Sequence, residues 1–228
     1  IELSDYGMML WGNDTYNFGE ASMGWINTSN FDRYLYSTRG WNKPHLVSYM
    51  ESHDEERMMY KNLNFGNTVN SAHNVRDLPV ALRRVELCVG FFLAAPGPKM
   101  VWQFGEQGYD FSINRCTDGT INNNCRLSNK PIRWDYLTVT ARKRLYDIFS
   151  SMNKLRAHPW YKDVFTANNI TISRSLSGAF KTLILRSATD SSMLCVIGNF
   201  DVTAQTGSFT FPTAGTWYDY LGGNTFTS

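Results

Sequence analysis

Pro44-His45-Leu46-Val47-Ser48-Tyr49-Met50 runs directly into Glu51-Ser52-His53-Asp54-Glu55-Glu56-Arg57. The first seven residues form a short apolar run of the kind that makes a buried strand. The next seven are charged or polar. Parallel α/β proteins present reactive groups in this way, with His and carboxylates placed just past the end of a strand. Further along, Asp77 and Pro79 mark a helix start. Ala81, Val85, Cys88, Phe92 and Ala95 then recur at helical spacing, with Arg83, Arg84 and Glu86 off that face. Pro96-Gly97-Pro98 ends the helix. Met100-Val101-Trp102-Gln103-Phe104 reads as a second buried strand that closes at Gly105-Glu106. Residues 44–106 are therefore expected to form a strand–helix–strand crossover.

Outward from that unit the texture is less regular. Residues 1–43 are rich in Gly, Asn, Trp and Tyr and read as a long loop with one helical piece, and long loops in small domains are usually functional. Residues 107–137 are irregular and polar. Thr138 or Thr140 is placed to cap a helix carrying Leu145, Ile148, Phe149, Met152 and Leu155 on one face, with Pro159 just beyond it. After residue 165, short apolar runs at 170–172, 180–186, 193–200, 209–211 and 217–221 alternate with turn residues, which predicts an antiparallel sheet, half of a sandwich.

The 228 residues carry a formal net charge of +2 with no basic run, so neither nucleic acid nor an anionic membrane is the expected partner. No apolar stretch reaches the length of a membrane span. Seven Trp and twelve Tyr suit a sugar-binding cleft, because sugar faces stack on aromatic rings; they suit an ordinary core equally well. Cys88 and Cys195 read as buried thiols. Cys116 and Cys125 flank an Asn/Gly/Thr-rich loop and either close a disulfide, which favours an extracytoplasmic setting, or remain free thiols. Zinc-like spacing of His, Cys and carboxylates is absent, and Asn122-Asn123-Asn124 lacks the acids calcium needs.

Tyr49-Met50-Glu51-Ser52-His53-Asp54-Glu55 resembles the fourth short signature of the alpha-amylase family, which ends in His-Asp at the seventh barrel strand. Residues 92–106, with the Pro-Gly turn and terminal Gly-Glu, are similar to that family's segment from helix to eighth strand. Lys130-Pro131-Ile132-Arg133-Trp134-Asp135-Tyr136 and the helix ending in His158-Pro159 fit the same layout. The resemblance implies the C-terminal half of a (β/α)8 barrel over residues 1–162 and a small antiparallel β-sandwich over 163–228. It implies a retaining, α-glucan-active glycoside hydrolase acting on starch, glycogen or maltooligosaccharides. Asp54 would be the carboxylate that binds sugar hydroxyls and stabilises the transition state, and His53 would contact the same sugar. Glu106 would be a structural residue supporting the site. Trp11, Trp25 and Tyr49 are the candidates for stacking on glucose.

Two departures qualify that expectation. Ser52 stands where amylases usually carry Asn, which is closer to the glycogen-branching side of the family and leaves transfer open beside hydrolysis. No strand carries Arg-x-Asp and no strand presents an acid/base Glu, so the chain alone is expected to be catalytically inactive. The chain reads as part of a longer protein, with the other half of the barrel as its partner or with self-association through exposed barrel surface, and calcium is conceivable only in that longer enzyme. The competing reading of the whole is a non-catalytic carbohydrate-binding protein. The competing reading of His53-Asp54 is a surface turn whose Asp caps a helix.

Overall fold

The structure is a computed structural model that describes residues 1–166 and 169–228. Helix α1 (Glu2–Asp5) leads into strand β1 (Leu10–Asn13), and α2 (Thr15–Met23) follows at once. The apolar run at 44–50 forms strand β2 (Leu46–Tyr49), parallel to β1 in the register Leu10–Leu46, Trp11–Val47, Gly12–Ser48 and Asn13–Tyr49. β1 was not expected; its signal is the short run Met8-Met9-Leu10-Trp11 inside the Gly- and Asn-rich opening.

Beyond the charged segment come α3 (Met58–Phe65) and α4 (Leu78–Ala94). Ala81, Val85, Cys88 and Phe92 are buried as their spacing predicts. Leu82, Val89, Phe91 and Leu93 are buried too, because α4 is covered on several sides at once. Arg84, expected off the apolar face, is also inside. Its guanidinium donates to the carbonyls of Ala21 (2.6 Å), Ser22 (3.0 Å), Phe200 (2.6 Å) and Asp201 (3.0 Å). One cation thereby satisfies the loose carbonyls at the end of α2 and at the sheet edge.

Helix α5 (Thr140–Arg156) lays Leu145, Phe149, Met152 and Leu155 into the same core. Neither threonine caps it: Thr138 Oγ1 donates to the Asp135 carbonyl at 2.7 Å, and Val139 occupies the cap position with no side-chain bond. After α6 (Lys162–Thr166), β3 (Ile170–Ser175), β4 (Phe180–Ser187) and β5 (Met193–Asn199) form an antiparallel meander in the order β3-β4-β5. Leu183 and Leu185 on β4 face inward to the cluster holding Phe31, Phe91 and Phe200. β5 approaches α4 so closely that a Cβ at Gly198 would lie 2.7 Å from Leu87 and 2.8 Å from Phe91. A separate hairpin, β6 (Thr216–Tyr218) and β7 (Thr225–Thr227), completes the chain.

The expected half-barrel and β-sandwich are both corrected by this architecture. Among the described residues, parallel pairing is confined to β1 and β2 plus one bridge between Ser48 and Lys99. The predicted strand at 100–104 does not form. Its backbone turns instead: Gly105 N–H bonds the Trp102 carbonyl at 2.9 Å, and Phe104 adopts a left-handed φ of 59°. The Gln103 carbonyl accepts from buried Arg57 rather than from a neighbouring strand. No sandwich forms because the inner face of the meander packs on helix and loop residues, not on a second sheet. Residues 209–211 are not a strand; Phe209 and Phe211 pack edge to face, and Phe211 meets Trp217 and Phe226 of the hairpin. Among the described residues no helix is long and apolar enough to cross a membrane.

Candidate functional site

The segment leaving β2 divides into a tethered part and a projecting part. Glu51 is buried; one carboxylate oxygen accepts the Met58 N–H at 2.7 Å and so caps α3, while the other faces Arg57 at 3.6 Å. Arg57 is 2% exposed and lies 4.8 Å over the ring of Tyr109. Glu56 accepts from Ser112 Oγ (2.5 Å) and from the Ile113 N–H (2.9 Å). Glu55 accepts from Asn13 Nδ2 at 2.6 Å and from the Ser52 hydroxyl. Three of the four acids in 51–56 are thus committed to holding backbone and neighbours in place.

Asp54 is the fourth, and it differs. Its own N–H donates to Ser52 Oγ at 3.0 Å, a local turn that pushes the next side chains outward. The side chains of His53 and Asp54 are 66% and 64% exposed. His53 Nε2 stands 3.4 Å from one Asp54 oxygen, and Arg126 Nη2 stands 3.7 Å from the other. Both distances exceed or sit at the limit of a good charged hydrogen bond, so the carboxylate keeps acceptor positions for a ligand. The ring of Trp102 lies 5.7 Å from that of His53, tilted by 43°. Asp54 does not cap a helix; Glu51 does that work.

Trp11 and Tyr49 meet edge to face at 5.4 Å on the paired strands β1 and β2, and Trp11 is 64% exposed. Burial raises the Tyr49 phenol above its usual range, and the carboxylates of Glu55, Asp14 and Asp54 push it the same way. Tyr49 therefore shares the field of Asp54. Asp14, at the junction of β1 and α2, is almost fully buried. One oxygen meets Arg39 Nη2 at 3.3 Å and the other has no partner among the described residues. Burial outweighs the attraction of Arg39 and pushes its pKa up to about 7.

Two expected site residues lie elsewhere. Trp25 is beyond the far end of α2, its indole N–H on the Phe65 carbonyl at 3.2 Å, and α2's nine residues carry it about 13 Å from the end of β1. Glu106 lines a groove along α5 with Val101, Tyr146 and Asn153, and accepts from Gln107 Nε2 at 3.2 Å. Its neighbour Gly105 instead backs the site from below: a Cβ there would lie 2.8 Å from the Glu51 carboxylate.

Cys116 and Cys125 form a disulfide, and Cys88 and Cys195 are free thiols. Among the described residues no group of three or more His, Cys, Asp and Glu could hold a metal ion. Asn122 Oδ1 accepts from the Asn124 N–H at 2.9 Å, closing a local turn. Sequence reasoning missed Arg126, Asp14 and Arg39. Arg126 sits in an aperiodic polar loop, and only its position directly after Cys125 marked it. A scan of family models and a search of curated proteins both return no match to this chain. The alpha-amylase resemblance accordingly rests on sequence motifs only, chiefly those at 49–55 and 92–106.

Proposed function

We propose that this chain recognises α-glucan through the exposed rim at His53 and Asp54 and does not by itself hydrolyse it. The observation that carries the reading is the contrast inside residues 51–56. Three acids are tied down, while Asp54 is exposed between His53 and Arg126, and Trp102 lies against the His53 ring. A carboxylate that accepts from hydroxyls, flanked by nitrogen donors and an aromatic face, is the chemistry that binds a pyranose. Trp11 offers a second exposed ring on the adjoining strand pair. The motif likeness to the alpha-amylase family points to the same sugar class, and gives Asp54 the task of holding hydroxyls of the glucose unit at the reacting carbon.

Retaining hydrolysis needs two further groups, a nucleophile and a proton donor, with their carboxyls roughly 5 Å apart. Glu51, Glu55 and Glu56 are engaged in hydrogen bonds that either role would break. On this reading the chain binds glucan without turning it over.

Incubating the purified chain with soluble starch and with maltoheptaose tests this reading. Expected are binding in the millimolar range, equivalent to about 4 kcal/mol, and no new reducing ends. Release of reducing ends that disappears in Asp54→Asn would overturn the non-hydrolytic half of the proposal. Absence of any binding to either glucan would overturn the rest.

A further inference from the structure

The loop closed by Cys116 and Cys125 ends one residue before Arg126, the cation that faces Asp54. We infer that this disulfide loop is a positioning device for the glucan site: it holds Arg126 beside Asp54, and breaking the disulfide weakens glucan binding through that one side chain. The inference rests on the glucan reading above and adds to it a residue and a means of control.

The loop's root and the site share one anchor. Glu56, two residues past Asp54, takes the Ser112 hydroxyl and the Ile113 N–H, which fixes where the loop begins. From there residues 117–124 lie in solvent. Ile121 is exposed, and so is Leu127 just past the loop, so neither ties this region to the core. What shapes it is local: Cys116 N–H to the Thr120 carbonyl (2.8 Å), Asn122 N–H to the Asn114 carbonyl (2.9 Å), Cys125 N–H to the Asn122 carbonyl (2.8 Å), and the disulfide. Lys130 Nζ then gathers the carbonyls of Cys125 (2.8 Å) and Ser128 (2.8 Å) as the chain turns back. Exposed backbone bonds of this kind open readily when a covalent closure is removed, because the loop regains chain entropy and loses little apolar burial beyond Cys116.

Arg126 is the side chain through which loop order reaches the site. Its guanidinium, 3.7 Å from Asp54, is close enough to orient the carboxylate and has donors left over for a sugar hydroxyl. Reduction changes no other bond among the described cysteines, since Cys88 and Cys195 are already thiols.

Maltoheptaose titrations followed by calorimetry, on the whole chain, separate the possibilities. In the oxidised protein Arg126→Gln should weaken binding roughly three- to fivefold, the range of one exposed charge contact, and Arg126→Lys should restore part of it. Reduction with a phosphine, or the double change Cys116→Ser/Cys125→Ser, should weaken the wild type by a similar factor and leave Arg126→Gln unaltered. A reduction effect of equal size in wild type and Arg126→Gln would overturn the inference while the glucan reading stood. So would binding that is indifferent to Arg126→Gln. No binding by the oxidised wild type would remove both.

Discussion

Around α4, apolar side chains at helical spacing close on one another: Phe18, Phe31, Phe91, Phe92 and Phe200 form a linked set of rings within 6 Å of their neighbours. Between residues 96 and 133 the chain has almost no regular structure, and cations hold it by donating to carbonyl oxygens. Lys99 gathers the carbonyls of Pro96 (3.0 Å), Gly97 (3.0 Å) and Pro98 (3.3 Å). Arg142 reaches those of Gln107 (3.1 Å) and Gly108 and pairs with Asp110 at 2.6 Å, and Arg57 takes that of Gln103. Burial forces both solutions. An apolar core satisfies its backbone through helices and strands, whereas an irregular segment next to a site must borrow donors from long side chains. The rim so built leaves the side chains of His53 and Asp54 exposed.

The contrast can be broken by perturbing each region in turn. The largest effects belong to the groups that serve the core. Phe92→Ala should cost about 3–5 kcal/mol from lost contacts and cavity. Arg84→Ala should cost a similar amount, about 3–5 kcal/mol, because several buried carbonyls lose their donor together. Urea unfolding measures both, and a loss under 1 kcal/mol for Arg84→Ala would show that those carbonyls find other partners.

Comparable in size is a pH effect at the edge of the site. Asp14 has its pKa raised from 3.8 to about 7, so the folded chain holds a proton there that the unfolded chain gives up. Between those values the folded state binds more protons, and stability must fall as pH rises from about 4 to about 7. The contribution is on the order of 4 kcal/mol over the whole range. Unfolding free energies at intervals from pH 4.5 to 8 should show this slope, and Asp14→Asn should flatten it. An unchanged slope in Asp14→Asn would assign the dependence to other groups.

The smallest stability changes belong to the rim. Trp11→Ala and Asp54→Ala remove exposed groups and should shift stability by no more than about 0.5 kcal/mol. For Trp11→Ala, glucan affinity should nevertheless fall roughly three- to tenfold, since one ring contact is worth about 0.5–1.5 kcal/mol. A thermal melt beside a maltoheptaose titration separates these readouts, and a mutant that melts early but binds normally would reverse the proposed division between core and rim.

This division also explains what could be read from the sequence. β2, α4, α5 and the meander were legible because burial of apolar groups repeats with the period of the element. Arg84 was misplaced because helical periodicity assigns charged residues outward and cannot register a donor shared by α2 and the sheet edge. The strand expected at 100–104 failed for a related reason: its apolar pattern is strand-like, but Arg57 and the turn at Phe104 take up its backbone groups. With that strand went the barrel. His53 and Asp54 were legible as a charged tip after a buried strand, and their exposure follows from Ser52 closing the turn beneath them. Trp25 was drawn to the site by composition, and the length of α2 carries it off; Glu106, expected in a structural role, lies on the groove along α5. Arg126 left no periodic trace at all; its place depends on the disulfide at the residue before it and on Lys130 further along the chain.

Chemical-shift mapping of the isotope-labelled chain with maltoheptaose tests the central claim most directly. The account predicts shifts concentrated at residues 52–54, 102 and 126 and at Trp11, and their loss in Asp54→Ala while the Phe92 and Leu183 core signals stay unchanged. Shifts confined to other parts of the surface, or equal in wild type and Asp54→Ala, would contradict it.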